Sequence, residues 1–271
     1  MSRFLTAIVA ATVGGLAWGP VEAGLLYGVD GDSDQLVTVD TATGAASAVG
    51  PLGYTNVRSL AWDPFTPMLY GVDGDTDVLL AIDPTTGAGT VIGPLGFSAP
   101  SVVAGLTYDT TRNTLYGVDV MQDVLLTIDA GSGAASIIGP IGFYGPRGLA
   151  YHQPTDQLFA VDVQADALLT IDRATGRGTT VGWLGFDFTT ALAFSDGALY
   201  SADRDTDELL TIDPISGQAS VVGPHGFGFI TALAPSRVIP EPGSPALLAV
   251  GGVTLALILG KRRRRPRIGP T

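Results

Sequence analysis

Carboxylates at alternating positions are the first residues with chemistry to offer. Asp30-Gly-Asp32-Ser-Asp34, Asp73-Gly-Asp75-Thr-Asp77 and Asp203-Arg-Asp205-Thr-Asp207 each set three acidic side chains within five residues. Hard oxygens at that spacing resemble the first half of a calcium loop. Two shorter versions keep only the outer pair, Asp119 with Asp123 and Asp162 with Asp166. None of the loops has Gly at the sixth position or a bidentate Glu at the twelfth. Asp also favours turns for its own hydrogen bonding, so calcium and plain turn chemistry are both open at these nine residues. No other cofactor is expected.

Other chemistries lack their residues. The chain of 271 residues has no Cys, which removes disulfides, thiolate metal sites and cysteine nucleophiles. His152 and His225 are its two histidines, too few for a multi-histidine zinc site. Gly-x-Ser-x-Gly elbows and Gly-rich phosphate loops are missing in any sensible context. Half of the 14 basic residues, Arg3, Lys261, Arg262, Arg263, Arg264, Arg265 and Arg267, lie in the terminal segments. Residues 24–237 hold 7 Arg, no Lys, 23 Asp and one Glu, a net charge of −17. A body that acidic repels phosphate backbones, which excludes nucleic acid as a partner.

The elements that position these residues repeat. An aromatic in LYGVD-like text recurs at Tyr27, Tyr70, Tyr116, Phe159 and Tyr200, at spacings of 43, 46, 43 and 41. Each unit continues with a second apolar run, a Gly turn, a third run, then Gly and an aromatic (Tyr54, Phe97, Phe143, Phe186, Phe227) before a fourth run. Short runs rich in β-branched residues and bounded by Gly, Pro and Asp read as strands. Four strands per unit and five units predict an all-β, five-bladed β-propeller across residues 24–237. A solenoid is the weaker alternative, because polar capping repeats are missing. The strand order resembles surface-layer repeats of the YVTN type, with a Tyr-Val-x-Asp strand followed by an Ile-Asp-x-x-Thr-Gly turn. That resemblance implies architecture and no function.

The register predicts how the ring closes. The body opens on the second strand of a blade and ends on a first strand, so residues 230–235 are expected to pair with 25–29 and leave no free edge. The five Asp-to-Gly turns at Asp40–Gly44, Asp83–Gly87, Asp129–Gly133, Asp172–Gly176 and Asp213–Gly217 have one logic. Asp accepts from turn N–H groups and Gly takes positive φ. The recurring aromatics are expected between blades. Channel-facing positions should come from residues 58–63, 105–109, 147–152, 190–195 and 231–235. These contain no Glu, and their Asp residues fall at turn ends; Glu208 sits in a surface hairpin. A glycosidase needs two carboxylates flanking the bond it cuts, so no enzyme is expected.

Both ends read as addresses. Residues 1–23 have a charged start at Arg3, an apolar core from Phe4 to Leu16, and Val21-Glu22-Ala23 ahead of a cleavage site, the pattern of a signal peptide. Residues 238–271 hold Pro240-Glu241-Pro242, an uncharged apolar stretch over 246–260, and the clamp Lys261, Arg262, Arg263, Arg264, Arg265. The stretch is slightly short of the roughly 20 residues a bilayer core needs, and the basic run favours a transmembrane helix with a cytoplasmic tail. These three parts in order resemble the PEP-CTERM sorting signal of Gram-negative bacteria, although Gly243-Ser244-Pro245 replaces the commoner Ser-Thr. The resemblance implies processing by an exosortase and association with exopolysaccharide or the cell surface. The function expected is therefore a secreted, surface-sorted, non-enzymatic structural or binding propeller of the extracellular matrix. The alternative is a propeller hydrolase or lactonase with a metal in the central channel. Unlike acidic residues converging there would favour the second.

Overall fold

In a computed structural model that describes residues 24–97 and 102–236, twenty strands form five four-stranded antiparallel sheets. In chain order the strands are β1 (Leu25–Asp30), β2 (Gln35–Asp40) and β3 (Ala46–Pro51); β4 (Val57–Asp63), β5 (Met68–Asp73), β6 (Val78–Ile82) and β7 (Gly89–Pro94); β8 (Val103–Asp109), β9 (Thr114–Asp119), β10 (Val124–Ile128) and β11 (Ala135–Pro140). They continue with β12 (Pro146–His152), β13 (Gln157–Asp162), β14 (Ala167–Ile171) and β15 (Gly178–Trp183); β16 (Thr189–Ser195), β17 (Ala198–Asp203), β18 (Glu208–Ile212) and β19 (Ala219–Pro224); and β20 (Ile230–Ser236). Each sheet runs in sequence order except the first, which is β20-β1-β2-β3. The last strand thus completes the first blade, as the register of the ends predicts. The segments expected to be a signal peptide and a sorting signal, including Pro240-Glu241-Pro242 and the apolar stretch with its basic clamp, lie outside the described residues. Among the described residues no helix is long and apolar enough to cross a membrane.

Burial explains the strand sequences. β5 (MLYGVD) is buried at all but its first residue, whereas β7 (GTVIGP) has a single buried residue. Inner and middle strands are covered on both faces by neighbouring blades, so they read as near-continuous apolar runs. Five clusters fill the five gaps in cyclic order. Leu36, Leu60, Leu80 and Ile82 join the first blade to the second, and Leu26, Val37, Tyr200 and Ile230 join the fifth back to the first. Full burial of each Leu or Ile contributes about 1.5–3 kcal/mol before ordering costs are subtracted. The recurring aromatics are half-buried beside these clusters, Tyr54 at the first gap and Phe143 at the third, as expected.

Glycine sets the distance between blades at their rims. Gly87 ends the β6–β7 turn at φ +81°, and a Cβ there would sit 2.4 Å from the Gly50 carbonyl oxygen of the preceding blade. No other residue fits that contact. Gly44 makes the same contact with Gly223, across the seam where the ring closes. At the centre, the Thr190 hydroxyl donates to the Ile230 carbonyl (3.1 Å) and the Thr231 hydroxyl to the Val57 carbonyl (3.0 Å). These bonds stitch the last strand between its neighbours.

Candidate binding face

The two ends of the ring differ in chemistry. One end, the loop face, carries the Asp-rich hairpins and the connections from outer to inner strands. The other, the turn face, carries the Asp-to-Gly turns. On the loop face two backbone bonds per blade lock connection to hairpin. In the second blade the Gly74 N–H donates to Asn56 O (3.0 Å) and the Leu95 N–H to Asp77 O (2.9 Å). Equivalent pairs recur in the other four blades, so all five hairpins share a face with the connections that carry the aromatics.

The Asp triplets are built as turns. Asp30, Asp73 and Asp203 are buried, and each carboxylate accepts from its own loop. Asp203 takes the Asp205 and Thr206 N–H groups, both at 2.9 Å, and Asp73 takes the Thr76 hydroxyl at 2.5 Å. The Ser33 hydroxyl closes on Asp30 in the same way. Asp32, Asp75 and Asp205 are exposed, while Asp34, Asp77 and Asp207 have left-handed backbone at φ +54°, +51° and +56°. Among the described residues no three of His, Asp and Glu are gathered as a metal site. The nine residues read as calcium candidates therefore form no assembled ligand set. Burial, then neighbouring carboxylates, raise the carboxyls of Asp77, Asp123 and Asp166 above their ordinary range.

Arginines, not carboxylates, mark the channel mouth on this face. The inner strands β4, β8, β12 and β16 each break register near their start, and a bulge re-aims side chains. Arg58 and Arg147 hold equivalent places at these breaks, where the other blades have Ala104, Thr190 and Thr231. Arg58 Nε donates to Asn56 Oδ1 (2.5 Å), and Asn56 Nδ2 donates to Asp75 Oδ1 (2.8 Å). Arg204, from the β17–β18 hairpin, lies over the Phe229 ring at 4.4 Å. Burial, then the charges of Arg58 and Arg204, push the half-buried Arg147 guanidinium below its ordinary range. Among the described residues, none of the three makes an ion pair. Tyr144 and Phe188, on the connections leading to β12 and β16, are 79% and 50% exposed.

Two arginines of the turn face are spent on a latch. Arg112 and Arg173 both donate to Asp156 Oδ1 at 2.7 Å, and Arg173 also reaches the fully buried Asp109 at 2.8 Å. Tyr151 adds a hydroxyl to Asp156 at 2.9 Å. Bonds from Arg173, Arg112 and Tyr151 hold the Asp156 carboxyl well below the usual carboxylate range. This latch ties the third blade to the fourth and borders a cleft of about 530 Å³. Neither the latch nor the mouth is foreseen from sequence. The signal available was that two of only seven body arginines fall at matching places in two repeats.

The inner-strand carboxylates are Asp63 and Asp109; Asp63 is taken up by its own turn, and Asp109 by its turn and the latch. Asp63 accepts from the Phe65 N–H (2.8 Å) and the Thr66 hydroxyl (2.7 Å), and Asp109 from Thr111 and the two arginines. His225 is the other irregularity. It occupies the buried place filled by Leu52, Leu95, Ile141 and Leu184 in the other blades. Its Nδ1 accepts from the Phe227 N–H (3.3 Å), and its buried Nε2 has no hydrogen-bond partner within reach among the described residues.

No family model matches the chain, and no curated protein matches it. Solved structures do. A crystal structure of a nidogen/laminin complex superposes with a TM-score of 0.57 at 17% identity, covering 79% of this chain and 81% of that one. A structural-genomics protein of unknown function from Bacteroides thetaiotaomicron superposes with a TM-score of 0.50 at 17% identity, over 62% of this chain and 51% of that one. Likeness at this identity speaks to fold, and the fold it supports is the β-propeller.

Proposed function

We propose that this chain is an exported, non-enzymatic binding propeller that engages extracellular matrix or exopolysaccharide through its loop face. The observation that carries this reading is the asymmetry between two groups of arginines: Arg112 and Arg173 are ion-paired in the turn-face latch, whereas Arg58, Arg147 and Arg204 make no ion pair among the described residues and stand on the loop face with exposed Tyr144 and Phe188. Five rigid blades hold that mouth from all sides, and such preorganisation limits what binding costs in ordering. A hydrolase or lactonase would need unlike acidic side chains converging in the channel, whereas Asp63 is committed to its turn and Asp109 to its turn and the arginine latch. In this reading residues 1–23 direct export. Pro240-Glu241-Pro242, the apolar stretch and the basic clamp direct sorting by an exosortase-type enzyme, with membrane anchoring before processing. Intact mass of the protein from its own cells, by fraction, tests the whole. A mass ending near Pro240 in the surface or matrix fraction supports the proposal. A mass retaining Arg265 in the membrane fraction overturns sorting, and protein found only inside the cell overturns the binding role.

A further inference from the structure

We propose that the channel mouth framed by Arg58, Arg147 and Arg204 is a carboxylate site that takes an isolated uronic acid of a polysaccharide; this rests on the binding role just proposed. Arg58 and Arg147 stand at equivalent register breaks of two inner strands, Arg204 projects from a loop-face hairpin over Phe229, and none of the three has an ion-pair partner among the described residues, so an arriving anion meets uncompensated positive charge there. The positions are fixed before the ligand comes. Asn56 holds Arg58 by its Nε, leaving the outer nitrogens of the fork uncommitted among the described contacts, and Phe229 supports Arg204 from below. A planar fork matches a carboxylate with two parallel hydrogen bonds. Charge selects against a denser anion, because exposed Asp32, Asp75 and Asp205 ring the same face of a body at −17. One charge set among neutral sugars can reach the arginines, whereas a run of charges meets the carboxylates. Tyr144 and Phe188 offer flat apolar faces on the adjoining connections, which suit a pyranose ring better than a free small ion.

The test uses the full chain in detergent and ligand titrations by NMR at constant ionic strength. The probes are sodium glucuronate, glucose, sodium acetate, sodium phosphate and N-acetylaspartate. Glucuronate is expected to bind more tightly than acetate or phosphate, and glucose to show no saturable binding. Arg58→Met and Arg147→Met should each weaken glucuronate roughly tenfold or more. Arg177→Met, an exposed arginine of the turn face, should leave it unchanged. Tyr144→Ala should bring glucuronate down to the level of acetate while acetate itself is unaffected. Melting curves confirm that each variant folds, and the two arginine variants back each other. Three results overturn the proposal: glucose binding as well as glucuronate, phosphate binding better, or N-acetylaspartate matching glucuronate with no response to Tyr144→Ala. The last would mark a peptide carboxylate site. Binding of the same chain to polymer from its own cells is measured in parallel. Polymer binding without glucuronate binding sinks the uronate site alone, and loss of both sinks the binding propeller as well.

Discussion

The turn face and the loop face are built from the same acidic residues, yet they treat charge in opposite ways. On the turn face, hydrogen bonds from Thr85 hold the Asp83 carboxyl low, Ser132 and Gly131 do so for Asp129, and the latch does so for Asp156. On the loop face, burial and neighbouring carboxylates push Asp77, Asp123 and Asp166 the other way. Arginine follows the same division in part: Arg112 and Arg173 are ion-paired in the latch, while Arg58, Arg147 and Arg204 make no ion pair among the described residues, and Arg177 of the turn face stays exposed. One face is satisfied by its own chain and serves stability. The other carries unresolved electrostatic stress, the condition in which a ligand has the most to contribute.

Breaking the latch gives the largest effect expected. Arg173→Met leaves Asp109 buried with a weaker counter-charge at 3.3 Å from Arg112, and losing one partner of a buried pair costs about 3 kcal/mol. For a domain of this size that lowers Tm by roughly 6–12 °C, which differential scanning calorimetry reads directly.

Acid sharpens the comparison next. Asp156 has a folded pKa below its unfolded value, so its contribution is present above about 3.8 and fades as pH falls through the folded value. Asp77 and Asp123 have raised values, so the folded state takes up their protons first and gains stability as pH drops toward 4. In melting curves between pH 6 and 3, Asp156→Asn should flatten the acid loss, and Asp77→Asn with Asp123→Asn should steepen it. The same sign for both variants would break the contrast between the faces.

His225 tests the loop face from beneath. Burial depresses its pKa, opposed by Asp207 and nearby backbone groups. The unfolded state then binds the extra proton below about 6.5, so stability falls as pH drops into that window. His225→Leu restores the residue type of the equivalent buried places and removes an unsatisfied Nε2. It should stabilise by about 1 kcal/mol, with the gain growing from pH 7 to pH 5.5. A loss of stability would mean that the imidazole has a partner.

Calcium is expected to do least. The leading Asp of each triplet is already occupied by its own loop, so calcium stepped to about 10⁻³ M against EDTA at fixed ionic strength should leave Tm unchanged. A rise in Tm that Asp75→Asn abolishes would restore the calcium reading of Asp73, Asp75 and Asp77.

Features that repeat were legible in the sequence. Tyr70 and its four counterparts set the blade period, Asp83 and Gly87 the turn, and the offset between residues 25 and 230 the closure of the ring. Features that occur once were not. Arg112 meets Asp156 from 44 residues away, and Arg173 meets Asp109 across 64. Neither distance is a repeat signal, because the contact depends on how two blades stand together. The arginine mouth escaped for the same reason: Arg58 and Arg147 become neighbours only once inner strands converge on one channel. The Asp triplets show the opposite limit. Their spacing was plain, but the bonds by which Thr76 engages Asp73 and Thr206 engages Asp203 become visible only once each loop is folded.

Paired melting of two double variants tests the division of labour most directly. In one buffer at pH 7, Arg112→Met/Arg173→Met should lower Tm by roughly 10 °C or more. Arg58→Met/Arg147→Met should hold Tm within about 2 °C of the parent or raise it, because unpaired like charges are being removed. A large fall in the second variant, or none in the first, would contradict the account in which one face holds the fold and the other is left free to bind.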